Sequence, residues 1–161
     1  MLRIITAIVK DSSGVLNRVT GLLSKRGFNI SSITVGASEM PNISKMTFEV
    51  DINTPVQAEQ IIKQLNKQID VIKVMDITDL QIVARELALI KIATNPTNRH
   101  EIYGIINPFR ARVLDVAKNS ITIEATGKTD KVDAIIDLLS PYGIKELSRT
   151  GITAFPRGRN K

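Results

Sequence analysis

Residues 43–50 read Ile-Ser-Lys-Met-Thr-Phe-Glu-Val. Met46, Phe48 and Val50 alternate with Lys45, Thr47 and Glu49. A period of two puts the first set on one face of a strand and the second on the other, which predicts a half-buried antiparallel strand. Upstream, Asn29 to Ala37 carries Ile30, Ile33 and Val35 and reads as another strand, and Glu39 to Asn42, with Pro41, is turn-like. A helical pattern flanks this pair of strands on each side. Before it, Val15, Leu16, Val19, Leu22 and Leu23 fall at offsets 0, 1, 4, 7 and 8, one face of a helix that ends at Lys25, Arg26 and the left-handed cap candidate Gly27. After it, Ala58, Ile61, Ile62 and Leu65 make a second stripe begun near Thr54-Pro55. Leu2 to Val9 and Val71 to Ile77 are the outer strands. The order β-α-β-β-α-β is the ferredoxin-like arrangement, one antiparallel sheet with both helices on one face.

The second half runs the same programme. Glu86 to Ala93 reads as a strand, and Ile102, Ile105, Ile106 and Phe109 as a helix. Ala111 to Ala117 and Ser120 to Thr126 read as a hairpin turning at Lys118-Asn119. Val132, Ile135, Ile136 and Leu139 give the second helix, Ile144 to Ser148 closes the unit, and a short piece follows at Ile152 to Phe155. Ile61-Ile62 and Leu65 repeat as Ile135-Ile136 and Leu139 at an offset of 74. The expected fold is therefore α+β, two ferredoxin-like βαββαβ domains in tandem, 1–78 and 79–161. The second ends in a short basic tail carrying Arg157, Arg159 and Lys161. The boundary falls near Thr78 to Val83 without a Gly/Pro-rich linker.

Composition removes several function classes. The 161 residues include no cysteine, which excludes disulfides, thiolate metal sites and thiol catalysis, and a single histidine, His100, which excludes a multi-His metal site within one chain. The N-terminal apolar run, Ile4 to Val9, is too short for a signal peptide, and no stretch approaches the length of a membrane span, so the expectation is a cytoplasmic protein away from membranes. The net charge of +6 raises the question of nucleic acid, but the charges are dispersed and aromatic residues are only 4%. The strand 43–50 offers one ring, Phe48, on the side expected to face the core, so no nucleic-acid partner is expected.

Two strings look like chemistry and are not. Gly127-Lys128-Thr129 sits where a phosphate-binding loop would end, but Thr122 occupies the position of that loop's first glycine. His100, between Arg99 and Glu101, is expected at an exposed helix start. No catalytic residue and no metal site are expected. The informative segment is Asp11 to Arg26. Gly14 lets a ligand approach the backbone. The first turn of the helix, at Val15 and Leu16, offers N–H groups and a positive dipole end to a carboxylate. Asp11 can accept from an ammonium group. Those features suit an α-amino acid; the same loop also reads as a plain helix cap.

The chain resembles the family of small, regulatory subunits of acetolactate synthase, also called acetohydroxyacid synthase. The resemblance rests on Arg3 to Ala7, on Asp11-Ser12-Ser13-Gly14-Val15-Leu16-Asn17-Arg18-Val19, on Leu22 to Ile30, on Ser32 to Val35 and on Ser44 to Thr47. It continues through Gln64 to Lys67, Val71 to Val74, Arg85 to Lys91, Phe109 to Ala111, Val113 to Val116 and Arg149-Thr150-Gly151, so it covers nearly the whole chain. What it implies is an N-terminal ACT domain, a regulatory module of ferredoxin-like fold that pairs side by side as a homodimer. Valine or another branched-chain amino acid, leucine or isoleucine, would bind at the interface. The subunit would bind and activate a separate catalytic large subunit carrying thiamin diphosphate, Mg²⁺ and FAD, with no cofactor of its own. It would confer feedback inhibition in branched-chain amino-acid biosynthesis. The family's effector positions fall on Asp11, Gly14, Val15 and Leu16, on Asn29 from the partner chain, and on Ile30, Val35 and Gly36 around the effector side chain. Two of them depart from the family's common pattern, which often has Asn at 11 and Ala at 36. The alternative is a stand-alone tandem ACT sensor acting on another target.

Overall fold

The computed structural model describes residues 1–158. The alternating apolar run at the N-terminus becomes strand β1 (Leu2–Lys10), which pairs on both sides. Helix α1 (Val15–Lys25) follows, then β2 (Asn29–Ala37), β3 (Ile43–Asp51), α2 (Pro55–Asn66) and β4 (Val71–Asp76). The sheet order is β2-β3-β1-β4, with β3 and β4 antiparallel to β1. Ile5, Ala7 and Val9 of β1 meet Phe48, Met46 and Ser44 of β3 across the ladder. With Val19 and Leu23 of α1 and Ile61 and Leu65 of α2, the apolar members Ile5, Ala7, Val9, Met46 and Phe48 form one core, in which Phe48 is fully buried. Both helix stripes thus cover the same sheet face, which is why their apolar residues recur at helical spacing while the strands alternate.

The ends of the helices follow local chemistry. Thr54 caps α2 as a capping box: its hydroxyl accepts from the Gln57 N–H at 3.4 Å, and the Gln57 side-chain oxygen accepts from the Thr54 N–H at 3.1 Å. Gly27 ends α1 at φ +76, a left-handed conformation that a side chain would strain. Phe28 then donates its N–H back to the Leu23 carbonyl at 3.1 Å and packs its ring against the core.

One expectation changes here. The polar side of β3 is not solvated: Thr47 is 2% and Glu49 9% exposed. Ser32 of β2 donates to the Glu49 carboxylate at 2.5 Å, so the buried charge has a partner. The chain end returns to this region. Strand β9 (Thr153–Pro156) buries Ala154, and the Lys45 ammonium lies 5.2 Å from the centroid of the Phe155 ring. A period of two reports which face a residue is on, but not what later covers that face.

The second unit is built on β5 (Ile82–Ala93), α3 (Arg99–Ile106), β6 (Arg112–Val116), β7 (Ser120–Gly127), α4 (Thr129–Leu139), a 3-10 turn (Ser140–Tyr142) and β8 (Ile144–Arg149). Its order, β6-β7-β5-β8, reproduces that of the first sheet, so the tandem ferredoxin-like arrangement is present. Ile90, Ile92, Ile121, Ile123, Ile102 and Ile135 make its separate core. The carboxylate of Glu86, 5% exposed as a residue, takes the Arg149 guanidinium at 2.5 Å, and Arg149 also reaches Asp133 at 2.8 Å. The chain divides into two compact units: Met1–Val83 joined by the described residues 152–158, and Ala84–Gly151. The sequence division at 78/79 places 152–158 with the second half; here Arg157 donates its N–H to the Gln81 carbonyl at 2.7 Å, within the first unit. Arg159 and Lys161 of the expected basic tail lie outside the described residues. Among the described residues no helix is long and apolar enough to cross a membrane.

The capping box supplies the first test of the fold. Thr54→Ala removes the acceptor for the Gln57 amide and should cost about 1 kcal/mol. Urea unfolding followed by circular dichroism should show a lower midpoint with an unchanged slope.

Candidate functional site

Ser12, Ser13, Gly14 and Val15 close a tight turn in which the Val15 N–H donates to the Ser12 carbonyl at 3.3 Å. Gly14 sits at φ +83 and ψ −5, the third position of a type II turn, which glycine alone adopts without strain. The sequence reading has Val15 offering a free N–H; the turn consumes that donor, and the Val15 side chain is buried in the core at 3% exposure. Arg18 is the first residue of α1 whose N–H reaches a carbonyl one turn back, that of Gly14 at 3.0 Å. No side chain caps the helix start. Leu16 and Asn17 therefore carry the open amide donors at this positive dipole end. Leu16 is also 45% exposed, an apolar side chain standing beside those donors.

The loop is anchored from both sides. Asp11 donates its N–H to the Asn42 carbonyl at 2.8 Å, and Lys10 donates to the Asp70 carbonyl at 2.8 Å. The Arg18 guanidinium pairs with the Asp70 carboxylate, and its Nη1 lies 3.0 Å from where a Cβ on Gly14 would stand. Sequence reading missed Arg18 and Asp70. Arg18 is one helical turn from Gly14 and could have been found by that spacing. Asp70 is 52 residues away from Arg18, and nothing local points to it.

The remaining positions lie on β2, an edge strand. Val35 and Gly36 pair with Met46 and Lys45, which pair in turn with Ala7 and Ile8, so they stand at the loop end of the sheet. Val35 is 42% exposed. Asn29 and Ile30 pair with Asp51 and Val50, which meet Leu2 and Arg3, at the opposite end. At about 3.3 Å per residue, β2 separates Asn29 from Ala37 by about 26 Å. One chain thus gathers Asp11, Gly14, Val15, Leu16, Val35 and Gly36 toward one end and leaves Asn29 and Ile30 at the other. Ile30 packs against the core of its own chain. Asn29 is exposed.

The second unit builds its first loop differently, without a glycine. The Asn98 side chain accepts from the Asn95 N–H at 2.9 Å, and the Asn95 side chain accepts from the Thr97 and Asn98 N–H groups, each at 2.9 Å. Those bonds hold the N–H groups of Asn95, Thr97 and Asn98 within the loop. Gly127 is a packing glycine: a Cβ there would lie 2.6 Å from Lys131 Cδ, and the Lys131 ammonium donates to the Thr126 carbonyl at 2.9 Å. His100 is exposed in the first turn of α3.

Comparison with known proteins adds to this geometry. Residues 85–158 match a family described as the small subunit of acetolactate synthase, and residues 5–73 match an AHAS small subunit-like ACT domain. The acetolactate synthase small subunit of Bacillus subtilis is 58% identical over 158 residues, covering 98% of this chain and 92% of that protein. A probable acetolactate synthase small subunit of Archaeoglobus fulgidus is 51% identical, with 98% of both chains covered. The crystal structure of an acetolactate synthase small subunit from Thermotoga maritima superposes with a TM-score of 0.92 at 38% identity, over 99% of each chain.

The turn makes its own prediction. Gly14→Ala forces a Cβ into the left-handed region and against Arg18, and should destabilise the first unit by about 1–2 kcal/mol. Amide hydrogen exchange should show the loss at α1 and β1 and leave the protection of β5 and β7 unchanged.

Proposed function

The chain belongs to the acetolactate synthase small-subunit family, and from that premise we propose that it is the regulatory subunit of the enzyme. It binds a branched-chain amino acid, valine foremost, between two copies of its N-terminal ACT domain. The ligand carboxylate lies at the open amides of Leu16 and Asn17, and the ammonium group faces the Asp11 carboxylate. Val35 and Gly36 border the effector side chain, with Asn29 and Ile30 supplied by the partner chain. The subunit activates a separate catalytic subunit, which carries thiamin diphosphate, Mg²⁺ and FAD, and gives it end-product inhibition. This reading places it in the cytoplasm.

The observation that carries this is the separation of Asn29 from the loop in one chain, together with the position of β2 at the border of its sheet. A border strand is where a strand of another molecule can join a sheet. Two copies of β2 laid antiparallel across a two-fold axis would place Asn29 of each beside Val35 and Gly36 of the other. Each loop would then meet the other copy's Asn29, giving two sites per dimer. Binding across such an interface stabilises the dimer, and that differential contact is what regulation requires. Asp11 favours the ammonium and cannot donate to the carboxylate, so the amides carry the anion.

Thermal unfolding of the pure protein against the twenty amino acids tests the ligand class. Valine, leucine or isoleucine at about 100 times its Kd should add roughly 2.7 kcal/mol, and the other side chains should add nothing. Mixing tests the architecture. Asn29→Ala and Gly14→Asp homodimers should each lose the response. Heterodimers of the two retain one intact site, so co-refolded mixtures should regain part of it. No recovery on mixing would place both residues in one chain's site. Effector binding without stimulation of the cognate catalytic subunit would favour the stand-alone sensor.

A further inference from the structure

Resting on that reading, we infer that the outer groove between α1 and α2 is where the catalytic subunit docks, and that the docking segment is acidic. Two adjoining cavities, about 560 and 170 Å³, share Leu22 and Arg26 and so form one continuous groove in the first unit. Its wider end is basic. Arg18, Lys25 and Arg26 line it, at seven- and eight-residue spacing along α1. That spacing spreads the positive charge over about 10–12 Å of helix. Asp70, at the edge, is held by Arg18. The narrower end has Phe28 and Ile61 at its base and Gln57, Gln60 and Gln64 along one α2 face. Gln60 and Gln64 offer both donors and acceptors, and Gln57, whose oxygen serves the capping box, offers its NH2 donors, which suits the backbone of a peptide segment.

Gly21 supplies an independent observation. It stands inside α1, where glycine is unfavourable relative to alanine. Its φ is not left-handed, and a Cβ built there meets nothing within 4 Å. Neither conformation nor packing within the chain explains it. It lines the basic end of the groove, where a missing side chain lets another backbone come close. The groove runs from Lys25 and Arg26, which have no acidic partner among the described residues, to the glutamine face of α2, so it fits an extended acidic segment rather than a single phosphate. Its one ring, Phe28, is half-buried against the core and gives no stacking platform for a nucleic acid.

The test uses the full chain and its purified cognate catalytic subunit, with affinity measured by interferometry at 0.05, 0.15 and 0.5 M salt. Wild-type affinity should fall steadily with salt. Lys25→Glu with Arg26→Glu should weaken binding at least tenfold at 0.15 M, while the valine-induced shift in Tm stays as in the wild type. Gly21→Gln should hold or raise the Tm and still weaken binding at least fivefold, a combination that a purely structural role for Gly21 would not produce. Wild-type binding of the catalytic subunit, matched within twofold by both variants, would overturn the docking site and leave the regulatory reading intact. No binding by the wild type at any salt would overturn both. Competition of wild-type binding by inorganic phosphate or single-stranded DNA at concentrations where ionic strength alone has no effect would reassign the groove to those ligands.

Discussion

The constraint on which the rest depends is the place of β2 at the border of its sheet. A four-stranded sheet covered by two helices on one face buries its apolar residues well and places β2 at one border, where another strand can join it. Nine residues with no proline and no lysine form that edge, so nothing in the strand discourages another from joining it. The same topology makes β1 and β2 run in one direction, both antiparallel to β3. The loop after β1 and the start of β2 therefore fall at opposite ends of the sheet. A ligand that needs both has to find one of them on a second molecule, and in the proposed reading this turns amino-acid binding into control of an interface.

The two units share one topology and differ in the chemistry of the first loop. In the first, a glycine-bearing turn spends one amide on itself and leaves those of Leu16 and Asn17 open at a helix start. In the second, Asn95 and Asn98 close the equivalent loop with their own side chains. Both units build an apolar core on the same strand order, while their first loops, which bear little of the packing, differ.

The glycines separate by cause. Gly14 and Gly27 hold left-handed conformations, and Gly127 makes room for the Lys131 stem. Gly21 has no such reason inside the chain, and it borders the groove proposed for the catalytic subunit. Arg18 connects the two surfaces. Its guanidinium lies over Gly14 at one end and lines the groove at the other. A ligand that shifts the loop would reach Arg18 directly, so the proposed effector site and the proposed docking groove have a physical connection through one side chain and its partner Asp70.

By itself the sequence determined the order of elements, both helix stripes, the left-handed cap at Gly27 and the absence of thiol and multi-His chemistry. These depend on local periods and residue types, which a linear reading contains. The family resemblance also marked the effector loop and Asn29 as parts of one site. Only the tertiary structure decided that Asn29 stands at the far end of the sheet, because that follows from strand order and direction. It decided that Val15 spends its N–H inside a type II turn, that Asp70 anchors Arg18 across 52 residues, and that the polar face of β3 is buried. Each of these depends on groups distant in the chain or on a backbone angle that several sequences could adopt. Periodicity names a face; only packing says what that face meets.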